Sequence, residues 1–308
     1  MSTHTNANSR RAAREHQGSP ANKPSLGRRF ARGGWRHPVA IAAVIFAIFP
    51  LAYTLSAALA TTGTLVGSNE LFASVTTANF EALLTNEQSP FLKWFANSIF
   101  ISTVTAIGTV LMGAAAAYAF SRFRFRGRKF SLTALLIIQM FPQLLAFVAI
   151  FLLLFALQDI YPALGLNSQL GLVAVYLGGA LGANTFLMFG FFNTVPRELD
   201  EAAMIDGATH TQVFWTIILR LVTPILVVVG MLAFVGTFSD FLLAQIVLQD
   251  PNRWTLAVGL YQMVAVEYSE NWGVFAAGAT LAAIPVVLLF LFLQRYIVSG
   301  LTAGAVKG

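Results

Sequence analysis

Six long apolar stretches dominate this sequence and limit what it can fold into. They lie near residues 38–60, 94–119, 131–157, 168–192, 223–248 and 272–297. A helix needs about 20 mostly apolar residues to cross a lipid bilayer, and each stretch reaches that length. Only 10% of the residues are charged, against roughly 25% in soluble domains. The sequence therefore predicts an all-α membrane protein with six transmembrane helices.

Three of these stretches contain a residue that should bend or interrupt a helix. Pro142 lies in the third stretch, Asp240 in the fifth and Pro285 in the sixth. Membrane helices tolerate proline when neighbouring groups satisfy the freed backbone. Residues 58–60 resemble a signal-peptidase site, but the apolar stretch exceeds the about 7–15 residues of a signal segment. We therefore predict that the first helix is retained.

Basic residues cluster before the first stretch and between the second and the third. Residues 1–36 contain eight Arg or Lys against one acid, and residues 122–129 contain five more. The loops on the opposite side carry mostly acids. Because loops rich in Lys and Arg stay in the cytoplasm, we expect a multi-pass membrane protein with both termini and residues 193–222 cytoplasmic. This placement also explains the basic charge without nucleic-acid binding.

The chain is predicted to have three regions. Residues 1–37 form a disordered basic arm, residues 38–299 the transmembrane domain, and residues 300–308 a flexible, glycine-rich tail. There is no cysteine, and the four histidines are scattered, so no metal site or catalytic constellation is predicted. The phosphate-binding pattern G-x-x-x-x-G-K-[ST] is also missing, so the sequence contains no loop of this type with which to bind and hydrolyse ATP.

Residues 193–222 stand out because acids and a glycine interrupt the apolar sequence. Pro196 suits the start of a helix, and three acids within residues 198–201 fall in its first turns, where the helix dipole favours negative charge. Gly207 is suited to end this helix in a left-handed conformation. We therefore predict a first short helix that ends at this glycine.

A second helix should follow directly. Thr209 and Gln212 have the spacing of a capping box. One face of the predicted helix is apolar and consists of Val213, Phe214, Ile217, Ile218 and Leu221, and the other is polar and consists of Thr211, Gln212, Thr216 and Arg220. The resulting helix–glycine–helix elbow is interpreted either as a hairpin lying on the membrane or as a docking surface for a cytoplasmic partner.

Several segments resemble one family of membrane proteins. EAAMIDGAT, at residues 201–209, is similar to the EAA coupling motif of ATP-binding-cassette importer permeases. The ordered segments that are similar to the G-type permease subunit of maltose/maltodextrin importers are QMFP at 139–142, GLN at 165–167, YLGG at 176–179, TLAVG at 255–259 and GLTAGAVKG at 300–308. The similarity runs from about residue 38 to the end of the chain.

The resemblance implies a type I importer permease of the bacterial cell membrane, which forms half of a translocation pathway for maltose or maltodextrins and is not itself an enzyme. It implies that these residues couple the pathway to an ATPase: Glu201, Ala202, Ala203, Asp206, Gly207 and Ala208. The implied partners are a second homologous permease, an ATPase homodimer that binds ATP and magnesium, and an extracytoplasmic sugar-binding protein. The resemblance also implies that the loop after the fifth helix reaches the binding protein and that the tail reaches between the ATPase subunits.

The chain departs from the family pattern at one place in the elbow. The family usually has a proline after a leucine, where this chain has Leu219-Arg220. We therefore expect the second helix of the elbow to continue without the usual break, with Pro224 providing the kink.

Asp240 is the only acid predicted inside an apolar stretch. A carboxylate in mid-membrane costs roughly 2.5–3.5 kcal/mol on insertion scales, so it should face the interior of the bundle or water. It is interpreted either as a residue that lines or gates the pathway, or as a structural group that is hydrogen-bonded to a neighbouring helix or lies near the outer interface.

Other functions remain open from the sequence. The importer could carry another oligosaccharide such as trehalose. An ion-gradient-driven transporter is a different class, but such proteins usually show internal repeats, and none is clear here. A membrane enzyme should show clustered His, Asp or Glu at the ends of its helices, and the sequence has no such cluster.

Overall fold

Helices make up nearly all of the part of the chain that the structure describes. A computed structural model describes residues 34–61, 71–86, 89–266 and 272–305, and these contain no β-strand. The predicted all-α membrane architecture is thus confirmed. The disordered arm predicted for residues 1–37 falls mostly outside the described residues.

The helices are numbered in chain order. They are α1 (Arg36–Leu59), α2 (Ala78–Thr85), α3 (Phe91–Arg122), α4 (Arg128–Gln139), α5 (Gln143–Leu157), α6 (Gln169–Phe192), α7 (Glu198–Ile205), α8 (His210–Leu221), α9 (Thr223–Ser239), α10 (Leu242–Val247), α11 (Leu256–Val266) and α12 (Trp272–Ala305). Within α8 the hydrogen bonding changes from α to π over Val213–Ile218 and then back. Contacts divide the chain into residues 1–52 and 53–308, a boundary that falls inside α1.

The long helices coincide with the predicted apolar stretches. In the described residues, α1, α3, α6 and α12 are each long and apolar enough to cross a membrane, and they cover the first, second, fourth and sixth stretches. Two further pairs pass the same test together, α4 with α5 and α8 with α9, although each pair is strongly bent. Counting each bent pair as one span gives up to six spans by length and composition.

The predicted interruptions of the third and fifth stretches occur as helix breaks. α4 and α5 meet at an angle of 95°, with Pro142 immediately before α5. Asp240 has an extended backbone between α9 and α10. Pro285, by contrast, is accommodated inside α12, which continues to Ala305. Most of the tail that we expected to be flexible is therefore helical.

α3 is the helix around which residues 53–308 pack. It lies along α6 and α9, and α9 in turn contacts α12. Small residues allow the close approach of α3, since Gly113 faces Met188 and Gly230 of α9 faces Val110. The short helices α2 and α11, which the sequence did not predict, pack against α3 and α12. The C-terminal end of α3 reaches the elbow, and that contact positions the candidate site.

Candidate functional site

The elbow consists of α7, α8 and the turn between them. Gly207 ends α7 in the left-handed conformation that the sequence predicted. Gly207 has φ +89°, in the left-handed region. The N–H of Gly207 bonds to the carbonyl of Met204 (3.1 Å), and the N–H of Ala208 bonds to the carbonyl of Ala203 (2.9 Å). These two bonds define a Schellman motif, which satisfies the last carbonyls of α7. The reversal between the two helices therefore has a fixed geometry.

The start of α8 also follows the sequence prediction. The Thr209 hydroxyl accepts from the N–H of Gln212 (3.3 Å), and the Gln212 side chain accepts from the N–H of Thr209 (2.8 Å). This reciprocal pair is a capping box, so the predicted helix start is confirmed. The end of α7 and the start of α8 are thus both set by local signals.

The buried face of α8 differs from the predicted one at its C-terminal end. Val213, Phe214 and Ile218 are buried as expected, but Leu221 is exposed and Val222 is buried in its place. A π-helical turn contains more residues than an α-helical turn, and it occupies Val213–Ile218. The wider turn shifts the buried stripe by about one residue, a change that a pattern based on α-helical periodicity cannot anticipate.

The departure from the family pattern at Arg220 has the expected local result. α8 continues through Arg220 to Leu221, and the chain then bends by 80° into α9. The bend falls at Val222, and Pro224 lies in the first turn of α9, where a missing N–H costs no helical hydrogen bond. α8 therefore runs on without a break at residues 219–220, and the kink lies beside Pro224.

A buried ion pair joins the elbow to α3. Arg122, at the end of α3, pairs with Asp200 of α7, and the two side chains are only 5% and 8% exposed. Burial raises the pKa of the Asp200 carboxyl, and the Arg122 guanidinium opposes that effect. The sequence suggested acids in α7 for their helix-dipole effect and did not single out Asp200, because its partner lies far away in the chain.

Further hydrogen bonds surround this ion pair. Arg122 also donates to the carbonyls of Phe192 (3.3 Å) and Val195 (3.1 Å), which precede α7. Arg197, just before α7, donates to the carbonyl of Ser121 in α3 (2.7 Å). Each side of this contact therefore contributes an arginine that donates to backbone carbonyls of the other side. We refer to Arg122, Asp200 and these hydrogen bonds as the latch.

An apolar cluster lies under the elbow beside the latch. It combines buried side chains of α3, α6, α8 and α9, including Tyr118, Phe192, Phe214 and Ile218. The Tyr118 and Phe214 rings are 5.1 Å apart, and the Tyr118 hydroxyl donates to the carbonyl of His210 (3.4 Å). The elbow is therefore packed onto the ends of the long helices as well as bonded to them.

The predicted coupling residues divide into two groups. Ala203 and Ala208 are half-buried and pack against the apolar cluster. The exposed group consists of Glu201, Ala202, Asp206 and Gly207. Ile205, which the sequence did not single out, lies among them and is 86% exposed. We call the outward surface formed by residues 201, 202, 205 and 206 the knob.

Asp240 lies at a helix break and lines a cavity. Its Oδ1 atom accepts from the Tyr176 hydroxyl of α6 (2.8 Å) and from the backbone N–H of Ala244 in α10 (3.1 Å). The cavity has a volume of about 620 Å³ and lies between α4, α5, α6 and the α9–α10 break. Asp240 thus has the interhelical bond of the structural interpretation and the cavity position of the pathway interpretation.

A hydrogen-bonded loop cluster lies at the other end of α3 from the elbow. Asn167, which has φ +57°, accepts through its side chain from the N–H groups of Gln249 (2.5 Å) and Asp250 (2.8 Å), and Arg253 donates to its carbonyl (2.6 Å). The Trp94 ring nitrogen of α3 donates to the carbonyl of Pro251 (2.8 Å). The loop after the fifth stretch is therefore tied to the GLN segment at 165–167. Of its aromatic residues, Tyr268 lies outside the described residues.

No group of three or more His, Cys, Asp or Glu that could hold a metal ion occurs in the described part of the chain. The arrangement of the elbow is instead mechanical. It combines a fixed turn, a base bonded to a long helix, and an outward surface with both charge and apolar area.

Comparison with known proteins extends over the elbow and the cavity. Residues 109–303 match the family of binding-protein-dependent transport system inner membrane components. The chain is 40% identical over 271 residues to the galactooligosaccharides transport system permease protein GanQ of Bacillus subtilis (strain 168), covering 88% of this chain and 93% of that protein. It is also 40% identical over 264 residues to the maltodextrin transport system permease protein MdxG of the same organism, covering 86% and 92%.

The fold is also found in a solved structure. A chain of a bacterial ABC transporter involved in the import of the acidic polysaccharide alginate superimposes with a TM-score of 0.72 at 20% sequence identity. The superposition covers 89% of this chain and 99% of that chain. The arrangement of helices is therefore one that an ABC importer uses.

Proposed function

This chain belongs to the family of binding-protein-dependent transport system inner membrane components, and from that membership and the elbow geometry we propose how it is coupled to its partners. The chain is a permease subunit of an ABC sugar importer and a multi-pass protein of the cell membrane, in agreement with the resemblance of its motifs. An ion-gradient-driven transporter is not favoured.

The proposed coupling element is the knob, residues 201, 202, 205 and 206. It docks into a cleft of a cytoplasmic ATPase that binds ATP and magnesium, and it transmits the motion of that ATPase to α3 through the latch. The observation that carries this proposal is the division of the EAA motif. Ala203 and Ala208 hold the elbow to the long helices, while Glu201 and Ile205 project outward without packing inside the chain. The exposed carboxylates of the knob can pair with basic groups of a partner, and Ile205 adds apolar area beside them.

The proposed partners follow from the same family. A second homologous permease completes the pathway and two ATPase copies bind the two elbows, as the resemblance of the EAA motif implies. An extracytoplasmic protein delivers the sugar, and the description of the family as binding-protein-dependent supports this partner. Both termini and the elbow face the cytoplasm, since residues 122–129 and the basic arm adjoin that side. The end of α12 reaches between the ATPase subunits.

The proposed substrate is a neutral oligosaccharide of the maltose or maltodextrin type. The relative MdxG supports maltodextrins, and the equally similar relative GanQ supports galactooligosaccharides as the second candidate. Uptake of radiolabelled maltose, maltotriose, galactobiose and trehalose by the assembled importer separates these substrates.

The coupling proposal is tested at Glu201. Glu201→Lys reverses an exposed charge on the knob and should oppose basic groups in a docking cleft. We expect normal abundance in the membrane, little ATPase retained on affinity purification, and a loss of uptake. Glu81→Lys is the matched control, because Glu81 is exposed in α2, away from the elbow.

Two outcomes would contradict the proposal. One is normal uptake with the ATPase still bound in the Glu201→Lys variant, which would make the elbow a surface hairpin only. The other is sugar-stimulated ATP hydrolysis by the purified chain alone, which would remove the need for an ATPase partner.

A further inference from the structure

Two broken helices meet at the cavity that Asp240 lines. One break separates α4 from α5 around Pro142, and the other separates α9 from α10 at Asp240. Helix breaks in transporters expose backbone groups and typically line substrate sites. The volume of about 620 Å³ lies within the roughly 300–1,000 Å³ of small-molecule sites. The cavity therefore has the position and size of a ligand site.

The wall of the cavity combines aromatic rings with a few uncharged polar groups. Phe141, Phe147 and Tyr176 supply the rings, and Gln139 and Gln143 supply side-chain amides. Gln139 is itself held by a hydrogen bond from its side-chain nitrogen to the carbonyl of Gly179 (2.9 Å). Mostly apolar walls with a small number of placed polar groups are what a small polar ligand requires. Sugars match this wall because they have apolar C–H faces and hydroxyl edges.

Asp240 is a fixed hydrogen-bond acceptor in this wall. Tyr176 and Ala244 both donate to Oδ1, which leaves Oδ2 without a hydrogen-bond donor among the described residues. An ionised carboxylate oxygen accepts hydrogen bonds only. Oδ2 is therefore available to accept from the hydroxyl groups of a ligand.

The charges around the cavity are one-sided. Asp240 is the only charged residue among the described residues that line it, and no Arg, Lys or His accompanies it. A negatively charged ligand would meet uncompensated repulsion there. Two like charges about 6 Å apart at an effective dielectric constant near 20 repel enough to weaken binding roughly 100-fold.

We propose that this cavity is a saccharide-binding site on the permease itself, in which Asp240 accepts hydrogen bonds from neutral sugar hydroxyls and rejects acidic sugars such as uronates. The inference rests on the proposed function as a sugar importer and adds a selectivity element to it. It assigns to this subunit a discrimination by charge that acts in addition to any choice made by the sugar-binding protein.

The test measures sugar binding to the assembled importer in lipid nanodiscs, without the sugar-binding protein. The probes are galactobiose and maltose as neutral disaccharides and digalacturonate as the acidic one, and affinities come from equilibrium dialysis of radiolabelled sugar. The wild-type complex should bind a neutral disaccharide at least about tenfold more tightly than digalacturonate, because Asp240 repels the carboxylates. Equal affinities, or no binding of a neutral probe, would overturn the proposal.

Two variants examine the charge directly. Asp240→Asn retains an oxygen that can accept from Tyr176 and Ala244, so the interhelical bonds should survive while the charge is removed. The preference for the neutral probe should fall at least about tenfold, because the repulsion by the carboxylate is removed. Asp159→Asn makes the same chemical change at an exposed position outside the cavity and should leave the preference unchanged.

Gln143→Lys provides an independent variant if Asp240→Asn does not accumulate. Gln143 is exposed on the cavity wall, and this change leaves Asp240 and both of its donors in place. The added positive charge should raise the affinity for digalacturonate about tenfold. An unchanged preference in both Asp240→Asn and Gln143→Lys would show that the cavity does not bind sugar.

Uptake measurements keep this proposal separate from the importer function. If the complex assembles and takes up sugar with ATP while the Asp240 and Gln143 variants leave selectivity unchanged, the cavity assignment is wrong and the importer function stands. If the chain binds no ATPase and supports no uptake, the proposed coupling function itself is wrong.

Discussion

Removing the acid of the latch should release the elbow from α3. In the Asp200→Ala variant the Arg122 guanidinium stays buried, since its side chain is only 5% exposed, but it loses its counter-charge. Breaking a buried ion pair from one side typically costs about 3–5 kcal/mol. The guanidinium keeps its hydrogen bonds to the carbonyls of Phe192 and Val195. We therefore expect a value near the lower limit, about 3 kcal/mol.

This cost should appear as local opening of the elbow. If α7 opens and closes rapidly, the rate of proteolysis follows the population of the open form. A change of about 3 kcal/mol raises that population roughly 150-fold. Arg197, immediately before α7, is exposed and provides a tryptic site whose cleavage requires α7 to open. Mass mapping of tryptic fragments from nanodisc-embedded protein would report cleavage after Arg197.

The control lies on the same helix. Glu201→Ala removes an exposed acid from the first turn of α7, away from the bond that trypsin cleaves, and should cost only about 0.3–1 kcal/mol through the helix dipole. Its cleavage rate should therefore rise less than about sixfold. If Asp200→Ala is cleaved no faster than Glu201→Ala, the ion pair does not hold the elbow, and the reasoning from burial is wrong.

Two further predictions concern the turn and the orientation of the elbow. Gly207→Val should destabilise the elbow by about 1–2 kcal/mol through backbone strain alone, because φ is +89° and a Cβ atom would meet nothing within 4 Å. Gly207→Asn should be milder, since asparagine tolerates this region. A thermal-shift assay measures the loss of stability and a pull-down measures the ATPase that stays bound. Equal losses in the Gly207→Val and Gly207→Asn variants would contradict the strain argument. The Asp206→Cys variant contains a single cysteine, because the native chain has none. This cysteine should react with an impermeant maleimide only after cells are opened. Labelling in intact cells would reverse the proposed orientation.

The parts of the fold that local signals determine were predictable from the sequence. The apolar stretches located the long helices, since the length needed to cross a bilayer is a property of each segment alone. Gly207 and the Thr209–Gln212 capping box located the two helices of the elbow, because capping involves residues that are close in sequence. Pro142 and Asp240 likewise marked the positions where helices break.

The features that the sequence did not predict depend on distant contacts or on small changes of helix geometry. The Arg122–Asp200 pair joins two helices, and neither residue identifies its partner. The π-helical turn in α8 moved the buried stripe from Leu221 to Val222. The helical end of α12 was expected to be flexible because glycines are frequent there, yet the helix continues to Ala305.

The acids of α7 illustrate why one motif can serve two purposes. Successive helical residues point in different directions, so Asp200 faces α3 while Glu201, the next residue, faces outward. The inward acid is bonded to the end of a long helix, and an outward acid one residue later necessarily moves with it. Under the proposed function, a force on the knob would reach α3 through the Arg122–Asp200 pair, the hydrogen bonds around it and the apolar cluster under the elbow. The proposed docking of the knob requires a rigid connection of this kind, because a displacement of α7 then reaches α3 and α6, which packs along α3 and lines the cavity beside Asp240.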